Sequence, residues 1–210
     1  WKVQLFKLNY DEREARAVYD VVKSGWITMG EYTKKFEADF NAHLNSNAKS
    51  VAVSSGTAAL HMAMLAINLK PEDEVIVPSL TFVADINVIR MAGAKPILAD
   101  CTSYYDWNIS PKDIENKITP KTKAVMVVHY AGYPCDMDPI RALCKKHNLF
   151  LIEDASHAIG AKYKNELCGN MSDIACFSFF TNKNLSVGEG GMYVSANPEL
   201  FKKGAYLRSH

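Results

Sequence analysis

The chain has 210 residues, of which 48% are hydrophobic, and its 24 basic and 23 acidic side chains give a formal net charge of +1. This length suits one large domain with a sizeable core, or a domain and a half. Because the charges nearly balance, without a basic stripe or charged tail, we expect no nucleic-acid partner. The five cysteines form no C-x-x-C pair and are typical of reduced thiols in a cytosolic protein.

One stretch has the length of a membrane-spanning helix, because residues 50–69 contain no Asp, Glu, Lys or Arg. It is interrupted by Ser54-Ser55-Gly56-Thr57 and includes His61 and Asn68, so a short buried strand followed by a helix is the better interpretation. The opening Trp1-Lys-Val-Gln lacks the apolar core of a secretory leader. We therefore expect no membrane partner.

The predicted elements begin with two amphipathic helices, Asp11–Ser24 and Thr33–Leu44, around the turn Gly25–Gly30. Short β-branched runs then alternate with helical patterns. The predicted strands are Ser50–Ser54, Glu74–Pro78, Lys95–Asp100, Lys123–Val128, Phe150–Asp154, Ile174–Phe179 and Gly191–Ala196, and the helices between them are Thr57–Ile67, Phe82–Met91 and Asp138–His147.

This alternation predicts an α/β fold in which a parallel sheet is covered on both faces. The connection between Ile174–Phe179 and Gly191–Ala196 is too short for a helical crossover, so we expect the last strand to be antiparallel. Ligands bind outside the carboxyl ends of the strands in such sheets. The loops that follow the strands are therefore where functional residues are expected.

The first of these loops, Ser54-Ser55-Gly56-Thr57-Ala58, ends a strand and opens a helix. Its backbone N–H groups lack intrahelical partners and the helix dipole favours an anion, so a phosphate fits there. Gly56 permits close backbone approach, and the Thr57 hydroxyl offers a further hydrogen bond. Taken alone, these residues are explained more simply by a plain N-cap and turn.

Later loops carry side chains with two interpretations each. Phe82 follows the second strand and either stacks on a flat heterocycle or belongs to the core. His129 is either a polar wall of a pocket or a hydrogen-bonded structural histidine. Asp136 and Asp138 fit a turn and an N-cap, and His157 lies three residues after Asp154.

A metal site is an alternative, because the strand ends could bring His129, Cys135, Asp136, Asp154 and His157 together. No pair among them has the close spacing of zinc ligands, so we expect no metal. The run Gly188-Glu-Gly-Gly191 is not a dinucleotide fingerprint either, since it opens a strand and not a helix.

Lys183 is the most informative residue. It lies between an apolar strand and the Gly-rich turn, five residues after Ser178, while Asp154 ends an earlier apolar strand. A lysine and an aspartate at one end of a sheet are what an enzyme needs to hold pyridoxal phosphate (PLP). The lysine forms a Schiff base, and the carboxylate keeps the pyridine nitrogen protonated so that the ring acts as an electron sink.

Taken together, these segments resemble the DegT/DnrJ/EryC1/StrS sugar aminotransferases. The resemblance covers essentially the whole chain. It rests on Ser54–Leu60, Pro78–Phe82, Glu153–Ala158, Ser178–Lys183 and Gly188–Gly191, with Ser24–Gly30 and Phe36-Glu37 near one end and Leu207-Arg-Ser-His210 at the other.

The resemblance implies a fold-type-I architecture: three layers around a seven-stranded, mostly parallel sheet with one antiparallel strand. Residues 1–30 would be an N-terminal helix and a substrate-side loop, and residues 31–210 the PLP-binding large domain. Family members continue well past the Arg-Ser-His segment, so we expect the small C-terminal domain to be absent from this chain.

The same resemblance implies roles for single residues. Lys183 and Asp154 would be catalytic, as the Schiff-base lysine and the partner of the pyridine nitrogen. The residues implied to bind the cofactor are Gly56, Thr57, Ala58, Phe82, Asp154, His157, Ser178 and Lys183.

The implied reaction moves an amino group from glutamate to a nucleotide-linked keto sugar, for cell-surface polysaccharide or antibiotic sugar synthesis. A cytoplasmic homodimer is implied as well. The sugar 3-dehydratases of the family carry histidine where this chain has Lys183, which favours amine transfer. The alternatives are a PLP-dependent keto-sugar dehydratase or related enzyme, and a non-catalytic regulatory protein on the same fold, which the intact Lys183–Asp154 pair disfavours.

Overall fold

The computed structural model describes residues 2–4 and 6–209. Trp1 of the opening segment and His210 of the closing Leu207–His210 segment lie outside the described residues. Helices and strands alternate along most of this part of the chain. In chain order they are α1 (Glu12–Ser24), α2 (Glu31–Leu44), β1 (Lys49–Val53), α3 (Gly56–Ala66), β2 (Glu74–Pro78), α4 (Val83–Met91), β3 (Lys95–Ala99), α5 (Pro111–Lys117), β4 (Thr122–Val128), α6 (Met137–His147), β5 (Phe150–Asp154), β6 (Lys162–Tyr163), β7 (Glu166–Leu167), β8 (Ile174–Ser178), β9 (Gly191–Ser195) and α7 (Pro198–Arg208).

Seven of these strands form one sheet in the order β1-β9-β8-β5-β4-β2-β3. Strand β9 is antiparallel to both of its neighbours, β1 and β8, while the pairs from β8 to β3 are parallel. The predicted sheet is therefore confirmed, including its single antiparallel strand. The short strands β6 and β7 form a separate antiparallel hairpin.

The two faces of the sheet bury two separate apolar clusters. One cluster joins β5 and β8, through Ile152 and Cys176, to helices α3, α4 and α7. The other lies under α2, α5 and α6 and includes Leu151 of β5. Because side chains alternate along a strand, Asp154 faces the same side as Ile152, and Glu153 faces the opposite side.

Two helices that the sequence analysis did not predict have clear N-terminal signals. Ser110 caps α5 by accepting a hydrogen bond from the Asp113 N–H, and Pro111 takes the first helical position. Asn197 caps α7 in the same way ahead of Pro198. A capping side chain followed by proline is a recognised start of a helix, so both helices were readable from the sequence.

The apolar stretch 50–69 forms most of β1 and the whole of α3. Strand β1 belongs to the sheet, and α3 packs against one of its faces. Among the described residues, no helix has the length and apolar character needed to cross a bilayer. All five cysteines are free. Burial raises the pKa of both Cys144 and Cys168 to about 12, so these side chains are neutral thiols at pH 7.

Candidate functional site

The N-terminus of α3 presents free backbone donors at the carboxyl end of β1. Ser55 caps the helix, its Oγ accepting from the Ala58 N–H at 3.1 Å and its carbonyl from the Ala59 N–H at 3.1 Å. In the part of the chain that the structure describes, the N–H groups of Gly56 and Thr57 have no acceptor. The predicted N-cap is therefore present, and it leaves two N–H groups and the positive end of the helix dipole available to an anion.

Ser178, the last residue of β8, lies directly against this helix terminus. A Cβ atom added to Gly56 would lie 2.7 Å from the Ser178 Cβ and 3.3 Å from its hydroxyl oxygen. Only glycine permits this approach. The Ser178 hydroxyl and the free N–H groups of α3 therefore form one small group of hydrogen-bond donors.

Lys183 follows β8 in a loop that main-chain hydrogen bonds hold against the strand end. Its N–H donates to the Phe180 carbonyl at 2.9 Å, and the Val187 N–H returns to the Phe179 carbonyl at 2.9 Å. Among the described residues, the Lys183 Nζ has no ion-pair or hydrogen-bond partner. Burial lowers the pKa of Lys183, while the nearby Asp154 carboxylate acts in the opposite direction.

Asp154 is buried at the carboxyl end of β5, beside β8. Its Oδ1 accepts a hydrogen bond from the Ser156 N–H at 2.9 Å. Its Oδ2 accepts none from the described residues, so this oxygen is available to a ligand. Asp154 lies close enough to Lys183 for its charge to act on the Lys183 ammonium group, so the structure places near each other the two residues that the sequence analysis put at the centre of the site.

His157 belongs to the same group. Its Nδ1 accepts a hydrogen bond from the Ala131 N–H at 3.3 Å. Burial and then the charge of Lys183 lower the pKa of His157, while Asp154 opposes them. The imidazole is therefore a neutral side chain at pH 7, within electrostatic range of both Lys183 and Asp154.

Phe82 occupies the N-cap position of α4 with 71% of its surface exposed. A core side chain would be buried, so that interpretation is wrong. An exposed aromatic ring at the carboxyl end of a parallel strand is free to contact a ligand.

His129 is a structural histidine, not a wall of the site. Its Nε2 lies 2.9 Å from the Glu153 Oε2, and its Nδ1 accepts from the Cys135 N–H at 3.1 Å. Both ring nitrogens are thus satisfied in the interior, on the face of the sheet opposite to Asp154. Of its two interpretations, the hydrogen-bonded structural histidine is confirmed.

The residues considered as metal ligands do not assemble. Asp136 stands at the N-cap position of α6 but accepts a hydrogen bond from the Tyr163 hydroxyl at 2.7 Å. A different trio, His129, Glu153 and Cys168, has potential ligand atoms within 4.8 Å of one another. Hydrogen bonds from His129, Gly169, Met171 and Ser172 already occupy both carboxylate oxygens of Glu153, which leaves neither of them free for a metal ion.

The sequence analysis missed Asp85, a fully buried carboxyl group in the first turn of α4. Its Oδ2 accepts a hydrogen bond from the Thr81 hydroxyl. A signal was present, because Val88 and Ile89, three and four residues later, are apolar and define the buried face of the helix. An acidic residue on that face is unusual and marks a site to inspect.

It also missed an aromatic chain beside His157. The ring of Tyr130 lies 6.3 Å from that of His157 and 5.5 Å from that of Trp107, between centroids. The Asn108 side chain fixes this region by donating to the Tyr133 carbonyl at 3.0 Å. These contacts join loops that are far apart in sequence, so no local pattern announces them.

Comparison with known proteins gives a consistent result. Residues 9–210 match the model of the DegT/DnrJ/EryC1/StrS aminotransferase family. A GDP-perosamine synthase of Escherichia coli O157:H7 is 44% identical over 202 residues, which are 96% of this chain and 55% of that protein. The solved aminotransferase of Psychrobacter cryohalolentis is 38% identical with a TM-score of 0.89, covering 93% of this chain and 50% of that one.

A further solved relative bears on the cofactor. A sugar-aminotransferase candidate of Streptococcus pneumoniae, determined in a PLP form, is 30% identical with a TM-score of 0.89 over 96% of this chain and 56% of that one. In all of these comparisons the chain spans about half the length of the relative that it matches.

Proposed function

The chain belongs to the DegT/DnrJ/EryC1/StrS aminotransferase family, and on that premise we propose that it is the cofactor-binding part of a PLP-dependent sugar aminotransferase. The observation that carries the proposal is the convergence of Lys183, Asp154 and the free N-terminus of α3 at the carboxyl ends of the strands. The amino donor is glutamate and the acceptor a nucleotide-linked keto sugar. Relatives named GDP-perosamine synthase support a nucleotide-linked acceptor.

The residues present fit this cofactor. The N–H groups of Gly56 and Thr57, with the Ser178 hydroxyl, suit a phosphate, and the close approach at Gly56 leaves them unobstructed. The available Oδ2 of Asp154 suits a protonated ring nitrogen. In addition, Ala58 would belong to the phosphate-binding helix turn, Phe82 would stack on the ring and His157 would lie beside it.

When bound, the cofactor supplies an electron-withdrawing ring that accepts the electron pair left when a proton leaves the carbon bearing the amino nitrogen. The Lys183 Nζ would accept that proton and later donate it again. A base must be neutral, and burial favours the neutral amine by lowering the Lys183 pKa. Asp154 meanwhile holds the positive charge of the ring nitrogen.

We also propose the wider setting implied by the family. Residues 31–210 form the large domain and residues 1–30 a substrate-side segment. The protein acts as a cytoplasmic homodimer, in which the partner subunit contributes to the site. The five cysteines are free thiols, four of them buried, as is typical of a reducing compartment.

Trapping of the cofactor tests the proposal directly. The whole protein carrying this chain is incubated with PLP, reduced with borohydride and digested for peptide mapping. We expect a stable adduct on Lys183. The variant Lys183→Ala should form no adduct and no product, yet retain part of its cofactor binding through the phosphate contacts, while the exposed Lys162→Ala serves as the matched control. An adduct on a different lysine, or full turnover by Lys183→Ala, would contradict the assignment.

Product analysis separates amine transfer from the alternatives. Loaded protein is supplied with glutamate and a nucleotide-linked keto sugar. We expect 2-oxoglutarate and an amino sugar in equal amounts. A deoxygenated sugar would instead support the dehydratase, and a trapped cofactor without any product from a panel of acceptors would support the regulatory protein.

A further inference from the structure

Asp85 is a buried carboxyl group with too few hydrogen bonds. It is fully buried, and Thr81 satisfies its Oδ2, but its Oδ1 has no partner among the described residues. An ionised carboxylate left in this state is strongly disfavoured, because nothing replaces the hydration that it loses. The protonation state of Asp85 therefore depends on the groups around it.

The fold places Asp85 on the same side of the sheet as Asp154. Val88, one turn further along α4, packs in the cluster that contains Ile152 of β5. Asp154 follows Ile152 by two residues and so faces this cluster as well. Asp85 also lies one turn after Phe82, the exposed aromatic residue at the mouth of the site.

Electrostatic coupling agrees with this placement. Burial and then the charge of Asp154 raise the pKa of Asp85, and the Thr81 hydroxyl opposes them. Cys176, the register partner of Asp154 on β8, responds to both residues, since burial and then the charges of Asp154 and Asp85 raise its pKa. Among the described residues, Thr81 contacts Asp85 directly, and Asp154 and the neutral Cys176 thiol are the groups that interact with it electrostatically.

We propose that Asp85 is a positioning residue that acts through Asp154, the two carboxyl groups forming a pair that carries a single negative charge. Asp85 is the neutral acid and Asp154 the carboxylate, because two neighbouring buried carboxylates cannot readily both ionise. The inference rests on the proposed function, in which Asp154 faces the ring nitrogen of PLP. At neutral pH the pair then matches the single positive charge of the protonated ring.

The pair also reacts to rising pH. When Asp85 loses its proton, a second negative charge develops near the ring nitrogen and strengthens its hold on its own proton. Asp85 thereby extends the pH range over which the ring nitrogen stays protonated. Asp85→Asn, which is neutral at every pH, should lose this effect and leave the low-pH behaviour unchanged.

The first test uses the protein without cofactor and measures the free energy of unfolding from pH 4 to 9. The raised pKa means that the folded state binds more protons than the unfolded state. The resulting stability is present below the usual pKa of 3.8 and is lost as the pH rises through the raised value. We therefore expect Asp85→Asn to become progressively more stable than the wild type as the pH rises.

The second test follows the absorbance of bound PLP against pH in the same proteins. Above the pH at which Asp85 ionises, we expect the ring nitrogen of Asp85→Asn to hold its proton about tenfold less tightly than that of the wild type, because the second negative charge is missing. The exposed Asp39→Asn is the control and should change neither measurement. Asp85→Ser replaces Asp85→Asn if the latter does not fold.

Each outcome decides the inference. Parallel stability curves would show that Asp85 does not carry the proton, and an unshifted absorbance titration would show that it does not act through Asp154. Either result overturns the proposal. A wild-type protein that binds no PLP would overturn the proposed function itself, a failure that the cofactor-free curves distinguish because they do not require PLP.

Discussion

Two fully buried carboxyl groups, Glu153 and Asp85, show how hydrogen bonds determine charge. Burial raises the pKa of Glu153, but His129, Gly169 and Ser172 together lower it below its usual value of 4.5. Asp85 has only the Thr81 hydroxyl, and its pKa is raised. Burial alone therefore does not predict the charge of a carboxyl group, whereas the number of donors around it does.

Substitution of Glu153 by glutamine should destabilise the protein strongly at neutral pH. The change removes a buried charge that receives the Gly169 and Met171 N–H groups at 2.8 and 2.9 Å, and it leaves His129 with a poorer partner. We expect a loss of about 3 kcal/mol in the free energy of unfolding at pH 7. Urea denaturation checks this value.

The pH dependence of that loss provides the sharper measurement. Because the folded pKa of Glu153 is lowered, its contribution is present above the usual value of 4.5 and disappears as the pH falls through the folded pKa. The difference between wild type and Glu153→Gln should therefore shrink in acid. Glu166→Gln, which removes an exposed pair with Arg141, should cost less than about 1 kcal/mol. A Glu153→Gln loss that stays constant with pH would contradict this explanation.

At the level of elements, the apolar β-branched runs predicted all seven strands of the sheet to within a residue or two. The strand ends were predicted as well, and with them the positions of Lys183, Asp154 and Gly56, because Asp154 ends a strand and the other two follow one. Helices α5 and α7 were missed although Ser110-Pro111 and Asn197-Pro198 mark their starts. Both helices could therefore have been predicted from these local sequence signals.

Contacts between different strands and helices could not be predicted from local sequence signals. Which strands are neighbours decides that Asp154 lies beside Cys176, and which helix covers them decides that Asp85 faces the same cluster. The strand order β8-β5-β4-β2 is a property of the whole sheet. The sequence therefore predicted the residues at the strand ends, whereas the second carboxyl group and the aromatic contacts of Tyr130 required the structure.

The junction between α3 and β8 gives a prediction at this scale. Gly56→Ala would place a methyl group 2.7 Å from the Ser178 Cβ, forcing the helix terminus away from the strand. We expect a loss of about 1–3 kcal/mol in stability, the usual range for overpacking. The affinity for PLP should fall as well, since the two groups of phosphate donors separate. Calorimetry and a cofactor titration measure the two effects.

Gly204 supplies the matched control, because it is an equally crowded glycine in the helix α7. A Cβ atom there would lie 2.4 Å from the Tyr193 ring. Gly204→Ala should lower the stability while leaving the PLP affinity of the folded protein unchanged. Equal effects of both substitutions on PLP affinity would show that the α3 terminus has no special role in binding.

Across the whole molecule, burial is very uneven. The central strands β4 and β5 are almost entirely buried, whereas α1 contains no buried residue. Its apolar side chains Val18, Tyr19 and Val22 are 64%, 53% and 63% exposed. Helix α2 differs, since it buries Phe40 and Leu44 against the sheet.

Within this chain, α1 is stabilised mainly by local interactions. Asp11 and Glu14 form a capping box at its start, and Arg16 pairs with Asp20 on its exposed surface. A cap contributes about 1 kcal/mol and an exposed pair less. A helix of 13 residues is only marginally stable in water without tertiary packing.

We therefore predict a steep gradient of amide hydrogen exchange in the 210-residue chain. Amides of β4 and β5 should exchange only through global unfolding, because opening them exposes the core of the sheet. Amides of α1 should exchange with little protection, since opening this helix exposes no buried surface. Mass spectrometry of peptic fragments measures both regions in one experiment, with α2 as an internal comparison of similar length. Protection of α1 equal to that of β5 would mean that its apolar side chains are covered in solution, for example by a second copy of the chain, and dilution would then abolish that protection.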